Sequence, residues 1–288
     1  MAVKIQTIKD IRIYLKKELN DIYNEPEIRV LSDILIKTIT GISKLHQLYD
    51  NGYPITGNEA NKITKFTSEL KSGRPVQHVI GETTFYNCTI KVNEATLIPR
   101  PETEELVDRI IMQNKDYDGN IIDFGTGSGC IAIALAGNLK QSNVTGTDIS
   151  EEAVRIANQN SILNNVRVNY LIDDIFNPHF EKLPTAGIIV SNPPYIRNSE
   201  KLHMHKNVLS FEPHLALFVD DSEPLVFYDA ILKLSEKLLL PGGRIYFEIN
   251  EAMGSPLATL IESFSYSEII ITSDINDKQR IIEARKKV

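Results

Sequence analysis

The chain has 288 residues, of which 42% are hydrophobic, which is enough for one large or two modest globular domains with real cores. No run of eighteen apolar residues and no signal-peptide core near Met1 are present, and Cys88 and Cys130 are the only cysteines, so a cytoplasmic protein is expected, without membrane partner, disulfide framework or usual zinc site. The formal net charge of −7 divides into +3 over residues 1–74 and −10 over the remainder, which argues against a long nucleic-acid duplex lying across the later part of the chain.

Residues 1–74 read as helices only. Ile8, Ile11, Leu15 and Leu19 recur at spacings of three and four, as do Ile28, Leu31, Leu35 and Ile39, and then Ile63, Phe66 and Leu70. Three such stripes predict a small helical bundle. Thr56 with Glu59 has capping-box spacing, and Gly73 before Pro75 is a stop signal. In residues 75–98, Phe85 to Val92 alternates as one strand, taken as half of a hairpin that links two domains.

Residues 99–288 form the second predicted domain. Glu102 to Glu105 looks like a helix's first turn, where negative charge is favourable. Strands are predicted over 121–124, 143–148, 166–172, 186–191 and 244–249, with helices such as 150–164 and 224–239 between them. That alternation points to an α/β fold with a doubly wound, mostly parallel sheet. In such sheets ligands sit beyond the carboxyl ends of the strands, where the strand order reverses. Gly125, Asp148, Asp174 and Asn192 all follow predicted strand ends.

Three of these positions carry chemistry. Gly125-Thr126-Gly127-Ser128-Gly129 lies between a strand and an apolar helix, where glycines let a ligand approach the backbone and the helix start offers free N–H groups. A dinucleotide fingerprint would want glycine where Cys130 stands, and no Gly-Lys-Ser/Thr follows for a P-loop. Asp148 falls nineteen residues after Gly129, close to the spacing at which an acid grips a ribose diol, although it could also cap the next helix. Asn192-Pro193-Pro194-Tyr195 offers a pure acceptor in the Asn192 carbonyl, a stiffened loop with a second carbonyl at Pro193, and a ring face at Tyr195 for a flat substrate. Two acceptors holding both hydrogens of a planar NH2 group favour its pyramidal, nucleophilic form. His203 and His205 are read as solvated loop histidines.

The order of glycine turn, ribose acid and Asn-Pro-Pro-Tyr is similar to that of S-adenosylmethionine-dependent methyltransferases of class I acting on planar nitrogen. The chain further resembles the protein-(glutamine-N5) methyltransferases of peptide-chain release factors. The resemblance rests on Arg74-Pro75-Val76-Gln77 with Gly81 and Phe85, on Ile98 to Glu104, on Phe211-Glu212-Pro213 with Ala216-Leu217, and on Leu240 to Gly243 before Phe247-Glu248-Ile249. It implies methyl transfer to the amide nitrogen of the glutamine in a Gly-Gly-Gln loop, with the release factor as partner. No metal is expected, since no metal-ligand spacing is present, and because the methyl-transfer residues all lie downstream of it the helical N-terminal domain is expected to dock the protein substrate. A monomer is expected.

Carried over by position, the resemblance implies that Gly125, Thr126, Gly127, Ser128 and Gly129 hold the methionine portion and Asp148 the ribose. It gives Asp174 and Ile175 the adenine, and Asn192, Pro193, Pro194 and Tyr195 the substrate glutamine, with Asn192 also beside the cofactor. The family often has Trp where Ile175 stands, and this chain has no Trp. His78, Asn250 and Asp220-Asp221-Ser222 also depart from the pattern. Two alternatives compete with this reading: an adenine-N6 nucleic-acid methyltransferase using the same clamp on a flipped base, and a non-catalytic binding module.

Overall fold

A computed structural model describes residues 4–288, which divide into two compact units, residues 4–81 with 206–211 and residues 82–205 with 212–288. The first unit is helical: α1 (Ile8–Leu19), α2 (Glu25–Thr40), α3 (Lys44–Tyr49), α4 (Gly57–Lys71) and α5 (Val76–Ile80). The apolar stripes form its core. Ile8, Ile11, Leu15, Leu19, Leu35, Ile36 and Ile63 are fully buried, while Ile39 and Phe66 pack at the edge. Capping boxes start α1 at Thr7 with Asp10, α2 at Asn24 with Glu27 and α4 at Thr56 with Glu59. Only the last of these was anticipated.

The second unit opens with a hairpin, β1 (Glu82–Phe85) and β2 (Cys88–Lys91). The stretch read as a single strand therefore contains a turn. Tyr86 and Asn87 sit at φ 45° and 63°, the two positive values that a two-residue hairpin turn of type I′ requires, and alternation of side chains carries no trace of it. Nor is the hairpin a free linker. Asn160 accepts from Lys91 N at 2.8 Å and donates to Lys91 O at 3.0 Å and to Ser128 O at 2.9 Å, tying β2 to the glycine turn.

After α6 (Pro101–Gln113) the chain alternates through β3 (Asn120–Phe124), α7 (Cys130–Asn138), β4 (Asn143–Asp148), α8 (Glu151–Leu163), β5 (Val168–Ile172) and β6 (Ala186–Ser191). The short β7 (Ile196–Arg197) is followed by α9 (Lys206–Phe211), which is counted with the first unit. Then come α10 (His214–Leu217), β8 (Phe218–Val219), α11 (Val226–Leu238), β9 (Leu239–Glu248), α12 (Gly254–Glu262), β10 (Tyr266–Ser273) and β11 (Gln279–Lys286).

The main sheet has seven strands in the order β10-β11-β9-β6-β3-β4-β5, parallel except that β11 runs antiparallel to both β9 and β10. The central strands β3 and β6 are buried on both faces, as their apolar runs require. Ile121, Ile188 and Val190 pack against α6 and α7, while Ile122, Ile189 and Phe247 pack against α11 and α12. Chain order runs outward from β3 to β4 and β5 on one side and returns through β6 on the other. The reversal thus lies between β3 and β6, the strands that end at Gly125 and Asn192. No helix among the described residues is long and apolar enough to cross a membrane.

Candidate active site

The glycine turn is held by hydrogen bonds to the ends of β3 and β4. Thr126 N donates to Thr147 O at 2.8 Å, Thr126 Oγ1 donates to Asp123 Oδ2 at 2.6 Å, and Gly127 N donates to Asp148 Oδ2 at 2.8 Å. Gly125 and Gly127 adopt φ 70° and 55°, and a Cβ at either would meet no heavy atom within 4 Å. Both line a cavity of about 430 Å³ beyond the strand ends, so the volume that side chains would fill is the cavity itself. Thr126 and Ser128 line it as well. Gly129 does not. It caps α7 at φ 80°, and a Cβ there would stand 2.5 Å from the Tyr170 hydroxyl and 3.0 Å from Ala157 Cβ. Its expected place in the ligand cradle gives way to a packing role between α7, α8 and β5.

Asp148 ends β4 and lines the same cavity. Its Oδ1 accepts from Ser150 N at 2.9 Å, while the cap of α8 is Ser150, whose Oγ accepts from Ala153 N at 3.2 Å. The capping alternative for Asp148 therefore falls to Ser150. Burial pushes the Asp148 carboxyl up, and the N–H groups of Ser150 and Gly127 pull it back. Each carboxylate oxygen keeps a lone pair for a ligand hydroxyl.

Asp174, Ile175 and Phe176 follow β5 and line the cavity. Asp174 Oδ1 accepts from Phe176 N at 2.9 Å, and Ile175 packs against the core. The Phe176 ring lies 5.3 Å from that of Phe227, tilted by 59°, and both residues line the cavity. An aromatic wall is thus present one residue beyond Ile175. The signal for it was the Phe next in sequence.

The clamp loop leaves β6 beside the glycine turn, because Ser191 Oγ donates to Phe124 O at 2.7 Å. Asn192, Pro193 and Pro194 line the cavity. Tyr195 does not: its ring packs against the core and its hydroxyl donates to Glu248 Oε1 at 3.0 Å, so the stacking role expected of it is not what this arrangement provides. Burial first, and then Glu248, push the Tyr195 hydroxyl far up. Glu248 also accepts from Thr103 Oγ1 at 2.6 Å, and Thr103 Oγ1 accepts from Asn192 Nδ2 at 3.3 Å. Burial raises Glu248, and these two hydroxyls lower it. Nearby, buried Glu212 joins Arg100 at 2.6 Å and accepts from Ile98 N at 3.1 Å, setting the Ile98–Arg100 and Glu212–Pro213 segments at the cavity rim. Sequence reasoning assigned no role to Thr103, Glu212, Glu248 or Phe176.

The cavity volume is that of a site for a nucleoside-sized ligand. An open glycine cradle, an acid at the end of the adjacent strand and an aromatic wall fit S-adenosylmethionine, with Asn192 facing the same space.

Comparisons with known proteins agree with this geometry. Residues 103–211 match the family described as Methyltransferase small domain. The chain is 38% identical over 280 residues to a release factor glutamine methyltransferase of Flavobacterium psychrophilum, covering 96% of this chain and 98% of that protein. It is equally 38% identical to one of Bacteroides thetaiotaomicron, over 276 residues, with 96% and 99% covered. Among solved structures, a methyltransferase from Pyrococcus furiosus superposes with a TM-score of 0.52 at 16% identity, covering 81% of this chain and all of that one, which is a likeness of fold.

Proposed function

We propose that this chain, which belongs to the release factor glutamine methyltransferase family, moves the methyl group of S-adenosylmethionine onto the side-chain amide nitrogen of a release-factor glutamine. One observation carries the reading: a single cavity at the strand-order reversal is walled on one side by the glycine turn and Asp148 and on the other by Asn192-Pro193-Pro194. When bound there, S-adenosylmethionine supplies a methyl carbon on a sulfonium, already an activated leaving group, so no metal is assigned to the reaction.

The residues of the chain do the rest. Gly125, Thr126, Gly127 and Ser128 leave room for the methionine portion, Asp148 accepts from the ribose hydroxyls, and Asp174 and Ile175 with Phe176 flank the base. An amide nitrogen is a poor nucleophile because its lone pair is delocalised. Asn192 Oδ1 and the Pro193 carbonyl accept its two N–H groups, and the lone pair is then free to form the N–C bond as the donor's C–S bond breaks. No strong base is required, since the N–H proton becomes acidic as the bond forms and passes to water afterwards.

The finer reading names the glutamine of a Gly-Gly-Gln loop, with the helical first unit docking the protein substrate and a monomeric enzyme acting in the cytoplasm. The charge of −10 over residues 75–288 counts against nucleic acid as the substrate. The test is incubation with labelled S-adenosylmethionine and either release factor or nucleic acid, with mass spectrometry to place the methyl group. It should be found on the glutamine side chain; a methyl on adenine would overturn the assignment. Asn192→Ala should lower single-turnover methylation by roughly 10²- to 10³-fold, as expected for loss of one preorganised polar group, while changing S-adenosylmethionine affinity far less. Near-wild-type turnover in that variant would remove the clamp from the mechanism.

A further inference from the structure

We propose that Glu248 and Thr103 form a positioning chain that fixes which end of the Asn192 carboxamide meets the substrate. The inference rests on reading Asn192 as the acceptor for the glutamine amide. A carboxamide has two ends of nearly equal shape and opposite hydrogen-bonding role. The clamp works only with Oδ1 toward the substrate, because the flipped side chain would set its own NH2 against the substrate's NH2, donor against donor. Something must choose the orientation before the substrate arrives.

The choice follows from counting protons on one hydroxyl. Thr103 Oγ1 carries a single hydrogen and lies 2.6 Å from Glu248 Oε2, the short contact of a hydroxyl donating to a carboxylate. With that hydrogen committed, the hydroxyl has only lone pairs for its other neighbour. That neighbour is Asn192 Nδ2 at 3.3 Å, which must therefore donate. The amide is turned with its nitrogen toward Thr103, and Oδ1 is left for the cavity that Thr103 and Asn192 both line.

Glu248 is placed to anchor this chain. It ends β9, the strand paired with β6 so that Phe247 stands opposite Ser191, and its side chain is almost wholly buried. Its second oxygen accepts from the Tyr195 hydroxyl at 3.0 Å, so one carboxylate holds the Asn192-to-Tyr195 loop at both ends, through Thr103 at one and directly at the other. A carboxylate buried without such donors would be strongly unfavourable. This arrangement gives a purpose to two segments that the methyl-transfer reading leaves idle, Arg100 to Glu104 and Phe247 to Ile249, whose members Thr103 and Glu248 lie 145 residues apart.

The experiment is a double-mutant cycle read by single-turnover methylation of a release factor, with calorimetry of S-adenosylmethionine binding alongside. Thr103→Val keeps the shape and removes the hydroxyl. It should slow methyl transfer about ten-fold, the worth of one buried hydrogen bond, with cofactor affinity unchanged. Thr103→Ser should recover most of the rate. Thr103→Val should cost nothing further when Asn192 is already Ala, because no amide remains to be oriented. Thr103→Ala gives the same reading should valine fail to fold. Wild-type rate in Thr103→Val, failure of Thr103→Ser to rescue, or full additivity with Asn192→Ala would each overturn the chain while leaving the methylation reading standing. Absence of glutamine methylation by the wild-type protein would overturn the reading itself, and the chain with it.

Discussion

Asp148, half-buried, and Asp123, fully buried, are two carboxylates at one turn, and their surroundings divide the work between them. Asp148 holds two N–H groups and keeps lone pairs turned to the cavity, so Asp148→Ala should weaken S-adenosylmethionine binding by roughly 10- to 100-fold, the equivalent of about 1.5–3 kcal/mol for a hydrogen bond to a charged group. Calorimetry showing unchanged affinity would confine Asp148 to bracing the turn. Asp123 is fully buried, and that burial pushes its carboxyl up to about 7, against the pull of the Thr126 hydroxyl and with a further push from Asp148. The unfolded chain releases this proton near the ordinary value of 3.8, whereas the folded chain keeps it until about 7. Within that window the native state binds more protons than the unfolded state, so stability falls as pH rises through it and levels off above. Urea unfolding across the window should show a shallower fall in Asp123→Asn than in the wild type. Identical slopes in the two proteins would mean that Asp123 is not the titrating group.

At the scale of elements, the join between β3 and α7 depends on Gly129 as much as on the glycines that face the cavity. Gly129→Ala would drive a Cβ against the Tyr170 hydroxyl and Ala157 at a positive φ, and should destabilise the fold by about 1–3 kcal/mol through overpacking. Thermal unfolding checks this, and an unshifted midpoint would show that α8 and β5 move aside freely. The parallel strands were legible: β4 and β6 span the residues read from sequence and β3 and β5 differ at their first residues only, whereas β9, read as 244–249, starts five residues earlier at Leu239 and ends at Glu248. The hairpin turn was not, because Tyr86 carries a positive φ with no sequence signature of one. Its backbone N–H donates to Glu104 at 2.8 Å and its hydroxyl to Asp108 at 2.8 Å, contacts made by α6 from outside the turn. Strands β10 and β11 went unread as well. A bulge between Ser267 and Ile270, with Glu268 at φ 51°, breaks the alternation a pattern search needs. In the site, residues next to a motif were legible and partners across the sheet were not. Asn192 announces itself, whereas its dependence on Thr103 and Glu248 exists only once α6, β6 and β9 are brought together.

For the whole molecule, the division into a helical first unit and a second unit that holds the candidate site gives the proposed docking role of the first unit a surface on which it can be tested. In α3 the usual pattern is inverted. Gln47 is fully buried, its amide donating to Asp33 O at 3.2 Å and Ile42 O at 3.1 Å and its carbonyl accepting from Arg12 at 3.1 Å. Leu45, Leu48 and Tyr49, which share a face at spacings of three and four, are 65%, 66% and 85% exposed. Apolar side chains turned outward on one helix face are what the proposed docking of the protein substrate would use. Being exposed, they contribute little to stability, so replacing all three by serine should leave folding and S-adenosylmethionine affinity near wild type. The Michaelis constant for an intact release factor should rise several-fold, by roughly 1 kcal/mol of lost contact, while that for a short Gly-Gly-Gln peptide, which reaches only the clamp, should stay where it was. A rise for both substrates would place the defect in the site itself, and no rise for either would remove this face from substrate docking.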